Sequence, residues 1–122
     1  RIHGPRPRNY GFKLNTKLKN LARLSALAYK AKEDKVMVIE DLAFDKPNTA
    51  SFANLLKNMQ IDGSRTLFLV DKSDKNVVLS GRNIPNNKIG QANSLNTYEI
   101  MNSNNLILTE SSIQIINETY KK

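Results

Sequence analysis

The sequence contains no cysteine, and its five glycines are scattered along 122 residues. Without cysteine there are no disulfides, thiolate metal sites or cysteine nucleophile, which is compatible with a reducing, intracellular setting. The glycine spacing matches neither GxGxxG nor GxxxxGK[ST], which argues against a nucleotide-phosphate loop. No apolar run approaches the ~18–20 residues of a membrane span, and no signal-peptide core is visible. These absences predict a soluble protein.

Acidic residues are absent from the first 32 positions, which hold nine of the nineteen lysines and arginines. The other ninety residues hold ten basic and eleven acidic side chains, so the formal net charge of +8 comes entirely from the first quarter. Such segregation bears on the binding partner rather than on the fold. The favoured partner is a polyanion, most commonly a nucleic acid.

Residues 1–14 predict an extended basic arm, and residues 15–122 predict a single α/β domain of ordinary size. Within the arm, Gly4-Pro5 and Arg6-Pro7 interrupt regular structure, because a residue before proline is driven toward extended conformations. Asn15 is a favourable N-cap for a helix that we expect to end near Lys32. The predicted sheet-facing stripe of this helix is Leu18, Leu21, Ala22, Ser25 and Ala28.

Strand-like and helix-like segments then alternate to the end of the chain. We predict strands at residues 35–41, 66–71, 88–92 and 105–109. We predict helices at about 48–59, 75–83 (capped by Ser73-Asp74), 96–101 and 110–121. Apolar runs such as KVMVIED are typical of strands buried on both faces, whereas Gly90 makes the third strand weak and peripheral. The pattern indicates a three-layer α/β/α fold with a mostly parallel sheet of about four short strands. The expected strand order is 3-2-1-4, numbered from Val36.

Residues suited to catalysis are few. The only histidine, His3, lies in the arm without a catalytic partner, and we interpret it as one more polar contact. No cluster has metal-ligand spacing, so no metal or cofactor is expected. Glu40 with Asp41, or Asp71 with Asp74, could form an acidic pair at strand ends. Acids at such positions more often cap helices and form turns.

Features suited to nucleic-acid binding are more numerous. Arginine pairs with phosphate oxygens bidentately and lysine acts as a point charge, while Tyr10 and Phe12 could stack on unpaired bases. Arg82 and Asn83, near a helix end, form a smaller second element that could equally be a helix cap. The helix stripe is rich in alanine and serine, which argues against membrane binding. The basic tract comprises Arg6, Arg8, Lys13, Lys17, Lys19 and Arg23.

Four segments together resemble the bacterial form of the universal large-subunit ribosomal protein family L-four. GPRPRNYGFKLNTKLKNLARLSALAYKA resembles the segment that leaves the family's long loop, and KVMVIEDLAFDKPNTASFANLLKNM resembles the strand and helix that follow. LSGRNIPNNKI resembles the family's Ser-Ala-Arg-Asn-Leu-Pro element, and SLNTYEIMNSNNLILTESSI resembles its closing helix and strand. The resemblance covers essentially all 122 residues in the right order.

This resemblance implies an α/β domain on the large subunit and a basic loop that reaches toward the peptide exit tunnel. It implies a structural, non-enzymatic protein located in the cytoplasm, in the ribosome, that helps assembly. Its partners would be large-subunit ribosomal RNA and neighbouring large-subunit proteins, with no membrane and no small-molecule substrate. Arg82 and Asn83 would be a second RNA contact or a local anchor. The implied RNA contacts of the arm and first helix are Arg6, Arg8, Asn9, Tyr10, Lys13, Lys17 and Lys19.

Two departures from the family qualify the resemblance. The chain lacks the family's first strand, a helix and most of the loop, so it resembles the C-terminal two thirds. The first strand would be expected beside the Leu106 strand, leaving an open edge. Gly81 replaces a favoured alanine, which should weaken that helix end slightly. Two rival functions stay open: an α/β enzyme or receiver-like switch that uses Asp41 and Asp71, and a regulator that binds messenger RNA.

Overall fold

The computed structural model describes residues 1–71 and 75–121, and its centre is a four-stranded sheet. The strands are β1 (Val36–Ile39), β2 (Thr66–Val70), β3 (Asn87–Gln91) and β4 (Asn105–Thr109). The helices are α1 (Thr16–Lys32), α2 (Thr49–Asn58), α3 (Lys75–Gly81), α4 (Thr97–Asn102) and α5 (Glu110–Thr119), with a 3-10 turn at Ala92–Ser94. Within these described residues, no helix has the length and apolarity needed to cross a membrane.

All strand pairs are parallel, and their order is β1-β4-β2-β3. Leu106 in β4 lies between Val36 and Leu67, which fixes the register of the three strands. The carboxyl ends of parallel strands share one edge of a sheet. We call the edge that contains Ile39 and Thr109 the carboxyl edge, and the edge that contains Val36 and Asn105 the amino edge.

Helices cover both faces of the sheet, which confirms the predicted three-layer α/β fold. Side chains alternate along a strand, so Leu106 and Leu108 join a core with α1, α4 and α5, whereas Ile107 joins a core with α2 and α3. In the second core the rings of Phe52 and Phe68 lie 5.0 Å apart at a tilt of 56°. Both rings are fully buried.

The predicted order 3-2-1-4 is wrong at one position, because β4 lies between β1 and β2 instead of outside β1. β4 is buried along its whole length, whereas β1 is only half-buried and Val38 is 56% exposed. The expectation that residues 35–41 form a fully buried strand is therefore also wrong. So is the expected open edge beside Leu106, since β4 has a neighbour on each side. The β1 segment VMVI is at least as apolar as the β4 segment NLILT. Hydrophobicity therefore could not predict which of the two strands lies in the interior of the sheet.

The buried face of α1 also differs from the predicted stripe. Leu18 is 48% exposed and Leu21 is 60% exposed, while Ala26 and Lys30 are the buried residues of the helix. The helix instead turns a different side toward the domain, and its buried and half-buried positions are Asn20, Arg23, Leu24, Ala26, Leu27 and Lys30. Small Ala26 allows close approach to the core, and the Lys30 stem can be buried because its ammonium group finds a carbonyl partner. Ala22, Ser25 and Ala28, the other members of the predicted stripe, are exposed as well.

Most other predicted elements are confirmed to within a few residues. Asn15 caps α1 by accepting a hydrogen bond from the Leu18 N–H at 2.9 Å, and β3 is an edge strand as expected. The predicted helix 75–83 ends at Gly81. Its predicted cap at residues 73–74 lies outside the described residues.

Gly81 lies where α3 approaches β3 and α2 closely. A Cβ atom at this position would overlap Ile89 Cδ1 and would lie 3.0 Å from Asn87 Nδ2 and 3.1 Å from Phe52 Cζ. The Asn87 side chain is held there, because its Nδ2 donates to the Gly81 carbonyl at 2.9 Å. The effect of Gly81 on the stability of the domain therefore depends on packing as well as on helix propensity.

We expect Gly81→Ala to destabilise the domain by about 1 kcal/mol or more, because overpacking costs ~1–3 kcal/mol and the propensity gain is at most ~1 kcal/mol. Urea unfolding followed by circular dichroism measures this difference. Gly90→Ala is the control, since its Cβ would meet its nearest atom at 3.4 Å, an ordinary contact. A higher unfolding midpoint for Gly81→Ala would show that propensity dominates.

Candidate nucleic-acid interface

The arm, residues 1–14, is exposed along its whole length and contains no helix or strand. It nevertheless has local order around Arg8. The Arg8 guanidinium carbon lies 4.4 Å from the centre of the Tyr10 ring, a cation–π arrangement. Asn9 Oδ1 accepts a hydrogen bond from the Gly11 N–H at 3.0 Å, which forms an Asx turn. Three consecutive candidate residues are therefore presented as one small unit.

The aromatic side chains of the arm are available to a partner. Tyr10 is 66% exposed and Phe12 is 86% exposed, so each ring offers apolar area that water covers in the free chain. Base–aromatic stacking is a common mode of binding to single-stranded nucleic acid. Exposed rings among arginines and lysines provide stacking surfaces and charge together.

The first turn of α1 continues this positive surface. It contains no acidic residue, although acidic side chains are favourable at helix N-termini. Lys17 and Lys19 are exposed there, and Arg23 is half-buried one turn further on. Arg23 Nη1 donates to Asn20 Oδ1 at 2.9 Å, which fixes the orientation of the guanidinium. The N-terminal half of α1 thus adds cations to those of the arm without neutralising them.

Lys30 has a different role from the other cations of α1. Its Nζ donates to the Ser103 carbonyl at 2.5 Å, and the residue is only 7% exposed. Ser103 ends α4 and lies just before β4 at the amino edge. Lys30 therefore attaches the C-terminal half of α1 to the domain and does not face a partner.

The sequence-predicted contacts fall at two separate edges. Lys19 and Arg23 line a hollow with residues 93–96, which follow β3 at the carboxyl edge. Arg82 and Asn83 are exposed in the turn that precedes β3, at the amino edge. The 17 residues of α1 extend for about 25 Å at 1.5 Å per residue. The structure thus groups the arm with the start of α1 and separates both from Arg82 and Asn83.

Two further cations at the amino edge were not found from the sequence. Arg65 Nη1 donates to Asn102 Oδ1 at 3.1 Å, and Lys88 Nζ lies 2.5 Å from Glu99 Oε1. Neither residue lies in a cluster of basic residues along the chain. Arg65 and Lys88 line the same hollow because β2 pairs with β3. No sequence signal distinguishes them from ordinary surface charges.

Asp41 and Asp71, the two aspartates of the receiver-like alternative, follow strands that are not neighbours. Asp41 follows β1 and Asp71 follows β2, and β4 separates the two strands, so the strands are about 10 Å apart. Asp41 also has a structural partner, since the Ser111 hydroxyl and, at 3.2 Å, the Ser111 N–H donate to its carboxylate. Ser111 lies in the first turn of α5. Among the residues that the structure describes, no group of histidines and acids is suited to hold a metal ion, and Asp74 lies outside them.

The Ser111 hydroxyl and then its backbone N–H lower the pKa of Asp41 below its ordinary value of 3.8. These hydrogen bonds favour the charged carboxylate. Asp41 therefore connects the end of β1 to the start of α5 and has a structural role.

The comparisons with known proteins all lead to the same family. A family model described as "Ribosomal protein L4/L1 family" matches residues 1–119. The chain is 48% identical over 121 residues to "Large ribosomal subunit protein uL4" of Porphyromonas gingivalis, and 46% identical over 121 residues to the protein of the same name in Flavobacterium johnsoniae. Each alignment covers 99% of this chain and 58% of the relative. The chain thus spans little more than half the length of these curated relatives.

Lys30→Ala is expected to lower the free energy of unfolding by about 1.5–3 kcal/mol, because it removes a buried hydrogen bond from a charged donor. Urea unfolding measures the change. Lys32→Ala removes the same charge from an exposed position of the same helix end and should change stability by less than ~0.5 kcal/mol. Equal effects of the two variants would contradict the anchoring role of Lys30.

Asp41→Asn should destabilise the domain at neutral pH, and the difference from the unsubstituted chain should shrink as the solution is acidified. A carboxyl group with a lowered folded pKa stabilises the fold above its unfolded pKa, here about 3.8, and this contribution is lost as pH falls through the folded pKa. Unfolding free energies from about pH 7 down to about pH 3 test this. Asp62→Asn, at an exposed turn, is the control; a pH-independent effect of Asp41→Asn would be incompatible with the charged hydrogen bond.

Proposed function

Because the chain belongs to the ribosomal protein L4/L1 family, we propose that it is a structural component of the large ribosomal subunit and binds large-subunit ribosomal RNA. The observation that supports this most directly is the exposed arm with its uncompensated positive charge. Nine basic and no acidic residues lie in positions 1–32. The arm is fully exposed and leads into a helix whose far end is anchored through Lys30.

The proposed mechanism is neutralisation of RNA phosphates by an arm held at a fixed place. Each phosphate contact releases condensed counterions, which makes the affinity strongly dependent on salt. Phosphate contacts also fix the position and orientation of a protein on its nucleic acid. Residues 33–122 have a net charge of −1, so they hold the arm and the first helix in place and contribute little attraction. The proposed contacts are Arg6, Arg8, Asn9, Tyr10, Lys13, Lys17, Lys19 and Arg23.

Arg82 and Asn83 form a proposed second contact at the amino edge. Their exposure in the turn between α3 and β3 leaves both side chains available. Since they lie far from the arm, they would bind a different segment of RNA. A protein with contacts at two ends holds two RNA segments at a defined separation, which is a physical route to assisting assembly.

The proposal includes no catalysis, cofactor, membrane or small-molecule substrate. The cytoplasmic ribosome is the proposed location, and neighbouring large-subunit proteins are the proposed protein partners. Lining of the peptide exit tunnel is proposed for the whole protein, of which this chain corresponds to 58% in the relatives. The separation of Asp41 from Asp71 by β4 disfavours the receiver-like alternative.

Changing Arg6, Arg8 and Lys13 together to alanine should flatten the salt dependence of binding to a large-subunit ribosomal RNA transcript. Each lost phosphate contact removes about 0.7–0.9 from the slope of log affinity against log salt, so the slope should fall by about 2 to 3. Fluorescence anisotropy over a series of salt concentrations measures it.

The matched control is the triple change of Lys46, Lys57 and Lys75 to alanine, which removes the same charge from exposed positions in and beside α2 and α3. It should leave the slope almost unchanged. Equal slopes for the two triple variants would remove the arm from the mechanism. Sedimentation with large subunits in the presence of excess messenger RNA separates a ribosomal role from a messenger-binding one.

A further inference from the structure

A polar hollow of about 500 Å³ opens at the carboxyl edge, where α1, residues 93–96 and the end of α5 meet. The first helix contributes Lys19, Asn20 and Arg23, and the segment after β3 contributes Asn93 and Asn96. Tyr120 lies at the end of α5, half-buried against the core. The volume lies within the ~300–1,000 Å³ range typical of sites for small molecules and cofactors. Three separate parts of the chain thus form one concave surface, which includes basic residues of the N-terminal half of α1.

The electrostatics of the hollow favour an anion. Among residues 1–71 and 75–121, no carboxylate lines the hollow. The one ion pair in these residues, between Lys88 and Glu99, lies elsewhere. The guanidinium of Arg23 has five N–H groups, of which one donates to Asn20 Oδ1. The other N–H groups of Arg23 and the Lys19 ammonium are donors that have no acidic partner in the part of the chain that the structure describes, and phosphate oxygens suit them.

A second hollow, of about 330 Å³ at the amino edge, provides a contrast. It also contains two cations and a tyrosine, namely Arg65, Lys88 and Tyr98. However, Lys88 is paired with Glu99 and Arg65 donates to Asn102. Its charges are therefore largely satisfied within the protein, whereas those of the carboxyl-edge hollow are not.

The amides of the carboxyl-edge hollow add a capacity that phosphate binding alone does not need. A side-chain amide offers both donors and an acceptor, the combination that matches the edge of an unpaired base. Asn96 Oδ1 already accepts from the Tyr98 N–H at 3.0 Å, so its NH₂ group is the part left for a ligand. Asn93 is exposed in the 3-10 turn.

We propose that this hollow receives an unpaired nucleotide of the bound RNA, with its phosphate at Lys19 and Arg23 and its base among Asn93, Asn96 and Tyr120. The proposal rests on the proposed RNA binding and adds that the RNA must project a nucleotide at this place. A concave site suits a projecting group, whereas the continuous backbone of a duplex is served by the exposed arm. The hollow thus selects RNA structure, while the arm supplies general affinity.

The first test maps the RNA that lies at the hollow. Because the chain has no cysteine, Asn93→Cys gives one attachment point for a tethered iron–EDTA group, which cleaves nearby RNA. Lys57→Cys in α2, a helix on the opposite face of the sheet, is the control. In complexes with a large-subunit ribosomal RNA transcript, cleavage from position 93 should centre on a bulge or loop, and position 57 should not cleave there.

The second test measures selectivity on a short RNA that contains the mapped nucleotide and on the same RNA with that nucleotide deleted. Asn93→Ala combined with Arg23→Gln should reduce the preference for the bulged RNA by about tenfold, the scale of losing one well-held base. The variant with Arg6, Arg8 and Lys13 changed to alanine should lose affinity for both RNAs by the same factor.

These results separate the two proposals. Three results would overturn the nucleotide site and leave binding by the arm intact. The first is cleavage from position 93 only at paired nucleotides, and the second is no cleavage from position 93 while the chain is bound. The third is an equal loss of affinity for the two short RNAs in the Asn93→Ala, Arg23→Gln variant. Failure of the unsubstituted chain to bind the transcript would instead overturn the proposed function itself.

Discussion

The pairing of β4 with both β1 and β2 is the constraint on which the other positions depend. β4 is buried from end to end, as β2 is, and it is the strand that joins the half-buried β1 to the rest of the sheet. Its side chains supply both cores, with Leu106 on one face and Ile107 on the other. The contacts that fix the surrounding helices also lie at its ends. Lys30 binds Ser103 just before β4, and Asp41 binds Ser111 just after it.

Because Lys30 binds the Ser103 carbonyl, α1 is held by its C-terminal half and offers its N-terminal half. Ala26 and Lys30 face the domain, whereas Leu18 and Leu21 are exposed and Lys19 borders a hollow. A cationic segment attached this way needs no acidic residues of its own to fold. The positive charge that would oppose a compact fold is placed on exposed side chains of the arm and of the first turn of α1.

The position of β4 also decides which chemistry the carboxyl edge can support. If β1 and β2 were adjacent, Asp41 and Asp71 would approach each other and an acidic site could form. With β4 between them, Asp41 instead holds the start of α5. The same edge brings Arg23 to Asn93 and Tyr120, which are distant along the chain. The hollow at this edge is therefore cationic and rich in amides.

The sequence by itself determined the type and approximate limits of nearly every described element, the layered α/β class and the location of the charge. These features depend on local periodicity, capping residues and composition, all of which involve neighbours within a few positions. Only the tertiary structure decided the strand order, the buried face of α1, the roles of Lys30 and Asp41, and the residues that surround the carboxyl-edge hollow. Each of these depends on contacts between distant residues, such as Lys30 with Ser103, that strands and helices of similar hydrophobicity leave unspecified.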